Sequence, residues 1–412
     1  MRIKPISISL SPNTEKDDIW LAFKLLFQPW RWQEGCQTPL LEEEFQKYLG
    51  AQYAFAFNSG RSALFAILNS LGLQQGDEVL LQAFTCNAVP NPVLWAGLKP
   101  IYVDCREDDY NIDAEDLERK ITSRSRAVIV QHTFGLAADM DRVLEICNRH
   151  SLILIEDCAH ALGATYKGKK VGTFGKAAFF SFSRDKVISC VYGGMATTSD
   201  SALAERLKKF QERSGYPSLF WILQQLLHPV IMNLGILPLY AIGGKYLLVI
   251  AQWLHVLSKA VHWKEKRGKK PGYFPRRLPN ALAILALRQF KKLERFNAHR
   301  KEIAEFYSRA LRDTKYQILN TRYKEGNIFL RFSVIHPNAH EIIKKAWRNN
   351  LLIGDWYTTP IAPHDTRLDM VGYTMGSCPV AERLAKITLN LPTHIRISKK
   401  DADVIMRFLK SF

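Results

Sequence analysis

Residues 151–200 constrain the fold more than any other stretch, because two apolar runs within them each lead to a chemically active group. The first run, Leu152 to Ile155, is followed by Glu156 and Asp157, and the second, Ala177 to Phe182, leads to Lys186. Short apolar runs of this kind predict strands buried on both faces of a parallel sheet. Such sheets bind ligands outside the carboxyl ends of their strands. We therefore expect the acid and the lysine to face one crevice.

This pair of groups suits pyridoxal 5′-phosphate, whose aldehyde forms a Schiff base with a lysine amine. The pyridine nitrogen of the cofactor must stay protonated, and a buried carboxylate beside it favours the charged ring. We assign Lys186 to the aldehyde and Asp157 to the ring nitrogen. Each residue alone also fits a plainer role, as a capping acid or a surface lysine. Their positions after successive buried strands favour the cofactor.

A candidate phosphate-binding turn lies upstream, where residues 51–73 follow a strand–turn–helix pattern. The turn contains Asn58, Ser59, Gly60, Arg61 and Ser62. Unpaired amides and the helix dipole bind phosphate at the start of a helix. An ordinary strand–helix turn looks the same in sequence, so this signal is weaker than the acid and the lysine.

Three motifs in the chain follow a known pattern. They are E-D-x-A-[QH] at residues 156–160, a glycine-rich turn around Gly168 and Gly172, and S-F-x-x-x-K at residues 181–186. With these motifs the chain resembles the DegT/DnrJ/EryC1/StrS family of sugar aminotransferases, which have the aspartate aminotransferase-like type I fold. The resemblance implies that Lys186 also shuttles the proton and that Asp157 pairs with the ring nitrogen. It further implies that His160 lies near the ring.

The same resemblance identifies the remaining cofactor-binding candidates. Ser181 would donate to the phosphate, and Gly60, Arg61 and Ser62 would form the family's phosphate turn. Cys86 stands where the family has an aromatic ring that stacks on the cofactor. Either something smaller packs there, or a neighbouring aromatic side chain such as Phe84 or Phe134 covers the ring. A small packing role for the thiol is favoured over a reactive one.

Three further departures from the family pattern affect the expected assembly. Arg61 replaces a threonine, and Tyr192 replaces a glutamate that precedes two glycines. Phe274 replaces an asparagine that, in the family, reaches the cofactor phosphate of the partner subunit. We still expect a homodimer, but without that contact.

The alternation of strand and helix patterns predicts an α/β fold. A large domain with a mostly parallel seven-stranded sheet flanked by helices is expected over residues 1–214, as the resemblance implies. A hydrophobic helical insertion with a basic flank is predicted at residues 215–271. A long helix and a small α+β domain complete the chain at residues 272–412. The seven cysteines lack C-x-x-C spacing, so neither a metal site nor a disulfide framework is predicted.

The insertion, which we call the insert (residues 215–271), is the least family-like part of the chain. Its apolar stretches are interrupted by glutamine, histidine and proline, so neither forms a clean membrane span. Tryptophans near its ends and a following run of lysines and arginine suit a hairpin in a membrane interface. A helical insertion that packs on its own domain or across a dimer is the alternative.

The net charge of +18 is not accompanied by a nucleic-acid motif, so we expect no nucleic-acid partner. The first residues show no signal-peptide core. We expect a cytoplasmic protein, with a peripheral contact to the inner membrane left open.

The expected reaction is the transfer of an amino group from an amino acid, by family habit L-glutamate, to a keto sugar carried on a nucleotide. Such a reaction would serve the synthesis of amino sugars for cell-surface polysaccharides. Two alternatives remain: an enzyme of the same fold that acts on a lipid-linked or other keto substrate at the membrane, or a non-catalytic membrane-associated relative. The residues do not identify the sugar, the aminated position or the stereochemistry.

Overall fold

The computed structural model describes residues 4–318 and 326–412. The strands, numbered along the chain, are β1 (Ile6–Ser7), β2 (Tyr53–Phe57), β3 (Glu78–Gln82), β4 (Thr85–Cys86), β5 (Lys99–Val103), β6 (Ser125–Gln131), β7 (Ile153–Asp157), β8 (Thr165–Tyr166), β9 (Lys169–Lys170), β10 (Ala177–Ser181), β11 (Gly194–Thr198), β12 (Gln317–Ile318), β13 (Arg331–Ile335), β14 (Leu351–Leu352), β15 (Ile361–Ala362) and β16 (Thr388–Pro392).

The main sheet has seven strands in the order β2-β11-β10-β7-β6-β3-β5, and the five strands from β10 to β5 are parallel to one another. β11 is antiparallel to both of its neighbours. The predicted α/β class and the mostly parallel seven-stranded sheet are confirmed.

Helices cover both faces of this sheet, and two large apolar clusters fill the spaces between the layers. The central strands are buried almost throughout, as the continuous apolar runs predict. The helices are α1 (Lys16–Leu26), α2 (Gln37–Leu49), α3 (Gly60–Ser70), α4 (Pro90–Trp95), α5 (Ala114–Arg119), α6 (Met140–Arg149), α7 (Ser201–Arg213), α8 (Leu219–Ile231), α9 (Gly244–Trp253), α10 (Asn280–Phe290), α11 (Leu293–Ala310), α12 (Ala339–Arg348), α13 (Pro379–Ile387) and α14 (Lys399–Lys410).

The register of the central strands places the two predicted active groups at one edge. β7 and β10 run parallel with Phe179 opposite Asp157, so both strands end on the same side of the sheet. Lys186 follows β10 in the connection to β11, and that connection starts and ends at this edge because β11 runs antiparallel. The topology therefore brings the acid and the lysine to one crevice.

The region after the insert contains two helices where the sequence predicts one long helix. α10 ends at Phe290 and α11 begins at Leu293. Between them Lys292 turns back to the start of α1, where its Nζ atom lies 2.6 Å from Asp17 and 3.0 Å from Asp18. The break lets this lysine compensate two carboxylates that stand in the first turn of α1.

The small sheet near the carboxyl terminus has the order β12-β13-β16 and is antiparallel. A separate apolar cluster connects it with α11, α12 and α14. Near the amino terminus, β1 pairs in parallel with β14, with Ile6 opposite Leu351. β1 is therefore held by the carboxyl-terminal part of the chain. Residues 319–325 of the predicted α+β domain lie outside the described residues.

In the insert, α8 continues through a π-helical turn (Met232–Ile236) and is followed by α9. α8 packs against α1 and α10. Within the described residues, Leu219–Ile236 is the one helical stretch long and apolar enough to cross a membrane, and half of its most apolar window is buried inside the protein. The buried side includes Gln224, Gln225 and His228, which shows that this helix packs as part of the protein core.

Candidate active site

A cavity of about 340 Å³ opens at the carboxyl edge of the sheet. Strand ends of the main sheet form one wall, the insert forms another, and residues 355–364 of the carboxyl-terminal part form a third. Seven of the eight predicted site residues line it: Gly60, Arg61, Cys86, Asp157, His160, Ser181 and Lys186. The structure therefore gathers nearly all of the predicted site into one place.

Ser62 is the exception and the prediction for it is wrong. Its hydroxyl is fully buried and donates to Asn58 Oδ1 at 2.7 Å, away from the cavity. Ser59 lines the cavity instead and caps α3, because its Oγ accepts a hydrogen bond from the Ser62 amide at 3.0 Å. Of the two serines in the turn, Ser59 is therefore the one that borders the cavity.

Asp157 ends β7 and is 3% exposed. Burial raises the pKa of its carboxyl to about 6, although the hydrogen bond from the Ala159 amide and the nearby charge of Lys186 act in the opposite direction. The amide of Ala159 donates to Asp157 Oδ1 at 2.9 Å and so fixes the rotation of the carboxyl group. A carboxylate in such surroundings gains most from a cationic partner placed in the cavity.

Lys186 extends into the same cavity, and burial lowers the pKa of its amine. Its Nζ atom lies 4.5 Å from the centre of the Trp356 ring. The backbone at the lysine is held from behind, because Asn13 Nδ2 donates to the Lys186 carbonyl at 2.5 Å and Arg300 donates to the Val187 carbonyl at 2.7 Å. The amine of Lys186 therefore faces the cavity, while the backbone that carries it is held in place.

The start of α3 forms a cradle that only small residues permit. An added Cβ at Gly60 would lie 3.1 Å from the Cβ of Ser181, and one at Gly194 would lie 2.4 Å from the Gly60 amide nitrogen. Ser181 Oγ lies 3.1 Å from Ser183 Oγ, so two hydroxyls border the start of the helix. Helix amides and hydroxyls in this arrangement bind a phosphate group.

Glu156 has a structural role beside this site. Its carboxylate accepts hydrogen bonds from the amides of Gly172, Phe174 and Gly175, at 2.6 to 2.7 Å. It also lies 3.2 Å from His132 Nε2. These bonds occupy the carboxylate oxygens of Glu156. Glu156 therefore holds the glycine-rich turn beside the strand that ends at Asp157.

Arg61 points toward the insert rather than standing alone in the phosphate turn. Its Nη1 lies 2.9 Å from the carboxylate of Glu265, and its Nη2 donates to the Ala260 carbonyl at 3.0 Å. Burial is the strongest single influence and lowers the pKa of Arg61, but Glu265 and weaker contributions from neighbours such as Tyr192 together raise it. Glu265 itself is 0% exposed. A buried ion pair therefore joins the phosphate turn to the insert.

Tyr192 and Phe274, two other departures from the family pattern, touch the same region. The Tyr192 hydroxyl donates to the Lys259 carbonyl at 2.5 Å, within the insert. Its ring lies 5.4 Å from that of Trp221 and 6.4 Å from that of Phe274. The Arg61 guanidinium lies 5.4 Å from the Phe274 ring. The three departures thus form one set of contacts around the insert.

Neither Phe84 nor Phe134 lines the cavity, so of the two alternatives for the face beside Cys86 the structure does not support a covering ring from these two residues. Phe84 is fully buried and stacks on Tyr110 at 4.9 Å. Trp356 and Tyr357 line the cavity instead, and the ring of His160 stacks at 5.3 Å on that of Trp356. Sequence reasoning missed these two aromatic residues because they are distant in the chain and follow no local motif.

His160 is buried beside these rings, and burial lowers its pKa well below the ordinary value. Its Nδ1 atom accepts a hydrogen bond from the Phe134 amide at 3.4 Å. It is thus a neutral imidazole. Cys86 also faces the cavity, and burial raises the pKa of its thiol, as expected of a packing residue rather than a nucleophile.

The sequence profile of the DegT/DnrJ/EryC1/StrS aminotransferase family matches residues 13–218 and 247–410. The chain belongs to this family. The unmatched residues 219–246 contain α8, the π-helical turn and the start of α9, which is most of the apolar part of the insert.

Individual members of the DegT/DnrJ/EryC1/StrS family show the same relationship. The spore coat polysaccharide biosynthesis protein SpsC of Bacillus subtilis is 27% identical over 97% of this chain and 95% of its own. A GDP-perosamine synthase of Caulobacter vibrioides is 36% identical over 55% of this chain and 60% of its own. The fold matches that of Helicobacter pylori PseC, an aminotransferase of pseudaminic acid biosynthesis, with a TM-score of 0.76 at 22% identity over 99% of both chains.

The residues present fit the cofactor of this family, pyridoxal 5′-phosphate. The cavity has a buried acid with a raised pKa at one position and a buried lysine with a lowered pKa at another. It also has a helix start with two serine hydroxyls for a phosphate group. The donor set therefore matches the three polar ends of this cofactor: ring nitrogen, aldehyde and phosphate.

Proposed function

We propose that this aminotransferase moves an amino group from L-glutamate to a nucleotide-linked keto sugar, in the synthesis of amino sugars for cell-surface polysaccharides. The observation that carries the proposal is that Asp157 and Lys186 line one cavity from the ends of parallel strands. Support for the substrate class comes from relatives: the GDP-perosamine synthases, and a UDP-N-acetyl-3-dehydro-alpha-D-glucosamine 3-aminotransferase of Acidithiobacillus ferrooxidans that is 28% identical over 87% of this chain.

In this proposal each polar group of the cavity has a role toward the cofactor. Asp157 holds the proton of the pyridine nitrogen, and Lys186 holds the aldehyde carbon. Ser59, Gly60 and Ser181 bind the phosphate, and Arg61 adds positive charge beside them. His160 lies near the ring as a neutral group, and Cys86 leaves room at the face where the family has an aromatic ring.

When bound, the cofactor supplies an electron sink that makes the Cα proton of the donor acidic. Lys186 takes and returns this proton, since a lysine whose pKa is lowered by burial is a better base near neutral pH. Asp157 stays ionised once a cationic ring faces it, because the opposite charge offsets the cost of burial. The aromatic wall of Trp356 and Tyr357 excludes water from the lysine.

A lipid-linked keto sugar is a second candidate substrate. One observation favours it: Leu248 and Gln252 line the cavity from α9, whose opposite face is apolar and exposed. A sugar attached to a lipid carrier would reach the cavity past this helix.

The assembly and location are also part of the proposal. We propose three functional units at residues 1–214, 215–271 and 272–412, a homodimer, and a position at the cytoplasmic face of the inner membrane. Since Phe274 and the buried pair of Arg61 with Glu265 occupy the region beside the phosphate turn, each chain would fill this region with its own residues, without the contact from a partner subunit. Light scattering on the purified protein tests the dimer.

Absorbance spectroscopy and a substrate comparison test the proposed reaction. The purified protein is expected to carry the visible absorbance of lysine-bound cofactor, and added L-glutamate is expected to bleach it. Other amino acids serve as controls for the donor. Reduced protein would then be offered nucleotide-linked and lipid-linked keto sugars, and only the true acceptor restores the absorbance. A colourless protein that binds no added cofactor would contradict the proposal.

A further inference from the structure

The outer face of α9 is apolar although it faces solvent. Tyr246, Val249, Ile250 and Trp253 lie on one side of the helix at spacings of three and four, and they are 63%, 63%, 51% and 75% exposed. The opposite side is buried or lines the cavity, through Ala251 and Gln252 among others. A helix on the surface of a water-soluble domain has the reverse arrangement, with apolar residues facing the core. This face therefore needs a covering surface.

The exposed apolar residues are concentrated in the insert. Among the described residues, twelve of the twenty large hydrophobic side chains that are exposed lie within residues 215–271. Exposed apolar side chains that share one helix face, as those of α9 do, mark a contact with another protein or a membrane. The twelve are Leu219, Phe220, Leu234, Leu239, Ile242, Tyr246, Leu247, Val249, Ile250, Trp253, Leu254 and Trp263.

The charge of the insert identifies the contact. Residues 215–271 contain seven lysines and arginines but one acid, Glu265, and that acid is buried against Arg61. One of the lysines, Lys266, also pairs with Asp365 outside the insert. The charge that the insert presents to solvent is therefore positive, and one of its lysines, Lys245, lies on α9 with its Nζ atom 5.0 Å from the centre of the Tyr246 ring.

We propose that the outer face of α9 lies in the boundary between headgroups and acyl chains of an anionic lipid bilayer. A basic, apolar and aromatic helix surface is suited to this position, and the lysines near it attract anionic headgroups. A second copy of the chain fits less well. A two-fold interface brings the same patch of both subunits together, and here it would bring like charges together.

The insert lies on the bilayer and does not cross it. The one stretch with the length of a span, Leu219–Ile236, is half buried against the protein and turns Gln224, Gln225 and His228 inward. Since α9 lines the cavity with its other face, the contact places the active site beside the lipid surface.

Vesicle flotation with the full-length protein tests this contact. The wild type is expected to float with vesicles of phosphatidylglycerol and phosphatidylcholine, to float far less with phosphatidylcholine alone, and to be released by high salt. The triple variant Val249→Gln, Ile250→Gln, Trp253→Gln is expected to bind the anionic vesicles at least about tenfold more weakly. Because these side chains are exposed, their replacement should leave thermal unfolding unchanged.

A matched control replaces three exposed apolar residues elsewhere: Leu40→Gln, Trp347→Gln and Met375→Gln. This control is expected to bind vesicles as the wild type does. The proposal is overturned if the wild type does not float, if it floats equally well with uncharged vesicles, or if the α9 variant floats like the wild type. A variant that changes from dimer to monomer by light scattering would show that a second copy covers the face. These results are independent of cofactor binding, so they separate this proposal from the proposed reaction.

Discussion

Two walls of the active-site cavity differ in how they relate to the family pattern. The wall of strand ends, with Asp157, Ser181 and Lys186, follows the pattern residue by residue. The wall of the insert meets the positions at which the chain departs from it, Arg61, Tyr192 and Phe274. These departures look unrelated in the sequence, but in the structure they contact one another and the insert. The three departures thus belong to one set of contacts around the insert.

The two walls also differ in their energetics. On the strand wall burial works against both functional charges, because it raises the pKa of Asp157 and lowers that of Lys186. On the insert wall the buried charges of Arg61 and Glu265 compensate each other. The charged groups of the strand wall therefore serve ligand binding, whereas those of the insert wall stabilise the fold. The following substitutions test this distinction.

The largest effect is expected for Lys186→Ala. Loss of the amine removes both the covalent link to the cofactor and the proton shuttle, and turnover should fall by about 10³-fold or more. The visible absorbance of the linked cofactor should also disappear. The unfolding midpoint of the cofactor-free protein should not fall, because the lysine is part of the strand wall. A variant that retains the absorbance would mean that another residue carries the cofactor.

Glu265→Gln tests the insert wall. Without the carboxylate, Arg61 is left as a buried cation with no charged partner, which costs about 3–5 kcal/mol of unfolding free energy. Urea denaturation of the cofactor-free protein measures this loss, and bound cofactor should reduce it because a phosphate faces the same arginine. Glu43→Gln is the control: its pair with Lys47 is exposed, so the change should cost less than about 1 kcal/mol. Equal effects of the two substitutions would contradict the distinction between walls.

Asp157→Asn is expected to stabilise the cofactor-free protein at neutral pH while weakening cofactor binding. Burial raises the pKa of this carboxyl from 3.8 to about 6, so ionised Asp157 costs the folded state on the order of 3 kcal/mol. In the wild type, the contribution of Asp157 to the free energy of unfolding is fully present below pH 3.8, where the carboxyl is protonated. This contribution is lost as the pH rises through about 6. The stability advantage of the variant should therefore appear between these values and be complete at pH 7.5. Denaturation at several pH values measures it, and an advantage that does not change with pH would refute this account.

Cys86→Ala should have the smallest effect. The thiol faces the cavity and burial raises its pKa, so it is neither an ionised nucleophile nor a partner for the cofactor ring. Turnover should change by less than about twofold, and stability by less than about 1 kcal/mol. Inactivation by a thiol reagent in the wild type but not in this variant would show only that a bulky group at this position blocks the cavity. Loss of turnover in the variant itself would restore a chemical role for the thiol.

The sequence predicted the strand wall because its signals are local. Each active group directly follows a strand that its own apolar run defines, and parallel strands end at one edge. The insert wall could not be predicted in the same way, since Arg61 and Glu265 are about two hundred residues apart and only the folded chain brings them together. The role of Ser62 was misassigned for a related reason: the rotation of a hydroxyl toward Asn58 depends on the geometry of the turn rather than on residue type. The aromatic wall of Trp356 and Tyr357 also forms only when residues 355–364 pack against the strand ends of the main sheet.

Asn13 gives the amino-terminal segment an unexpected importance. Its side chain bonds to the carbonyls of Lys186 and Val187, and it accepts a bond from Arg300 at 2.9 Å. Shortening the chain to the start of α1 would leave every helix in the sequence. It would also remove the hydrogen bonds of Asn13 to the backbone at Lys186, so the shortened protein would be a less active enzyme.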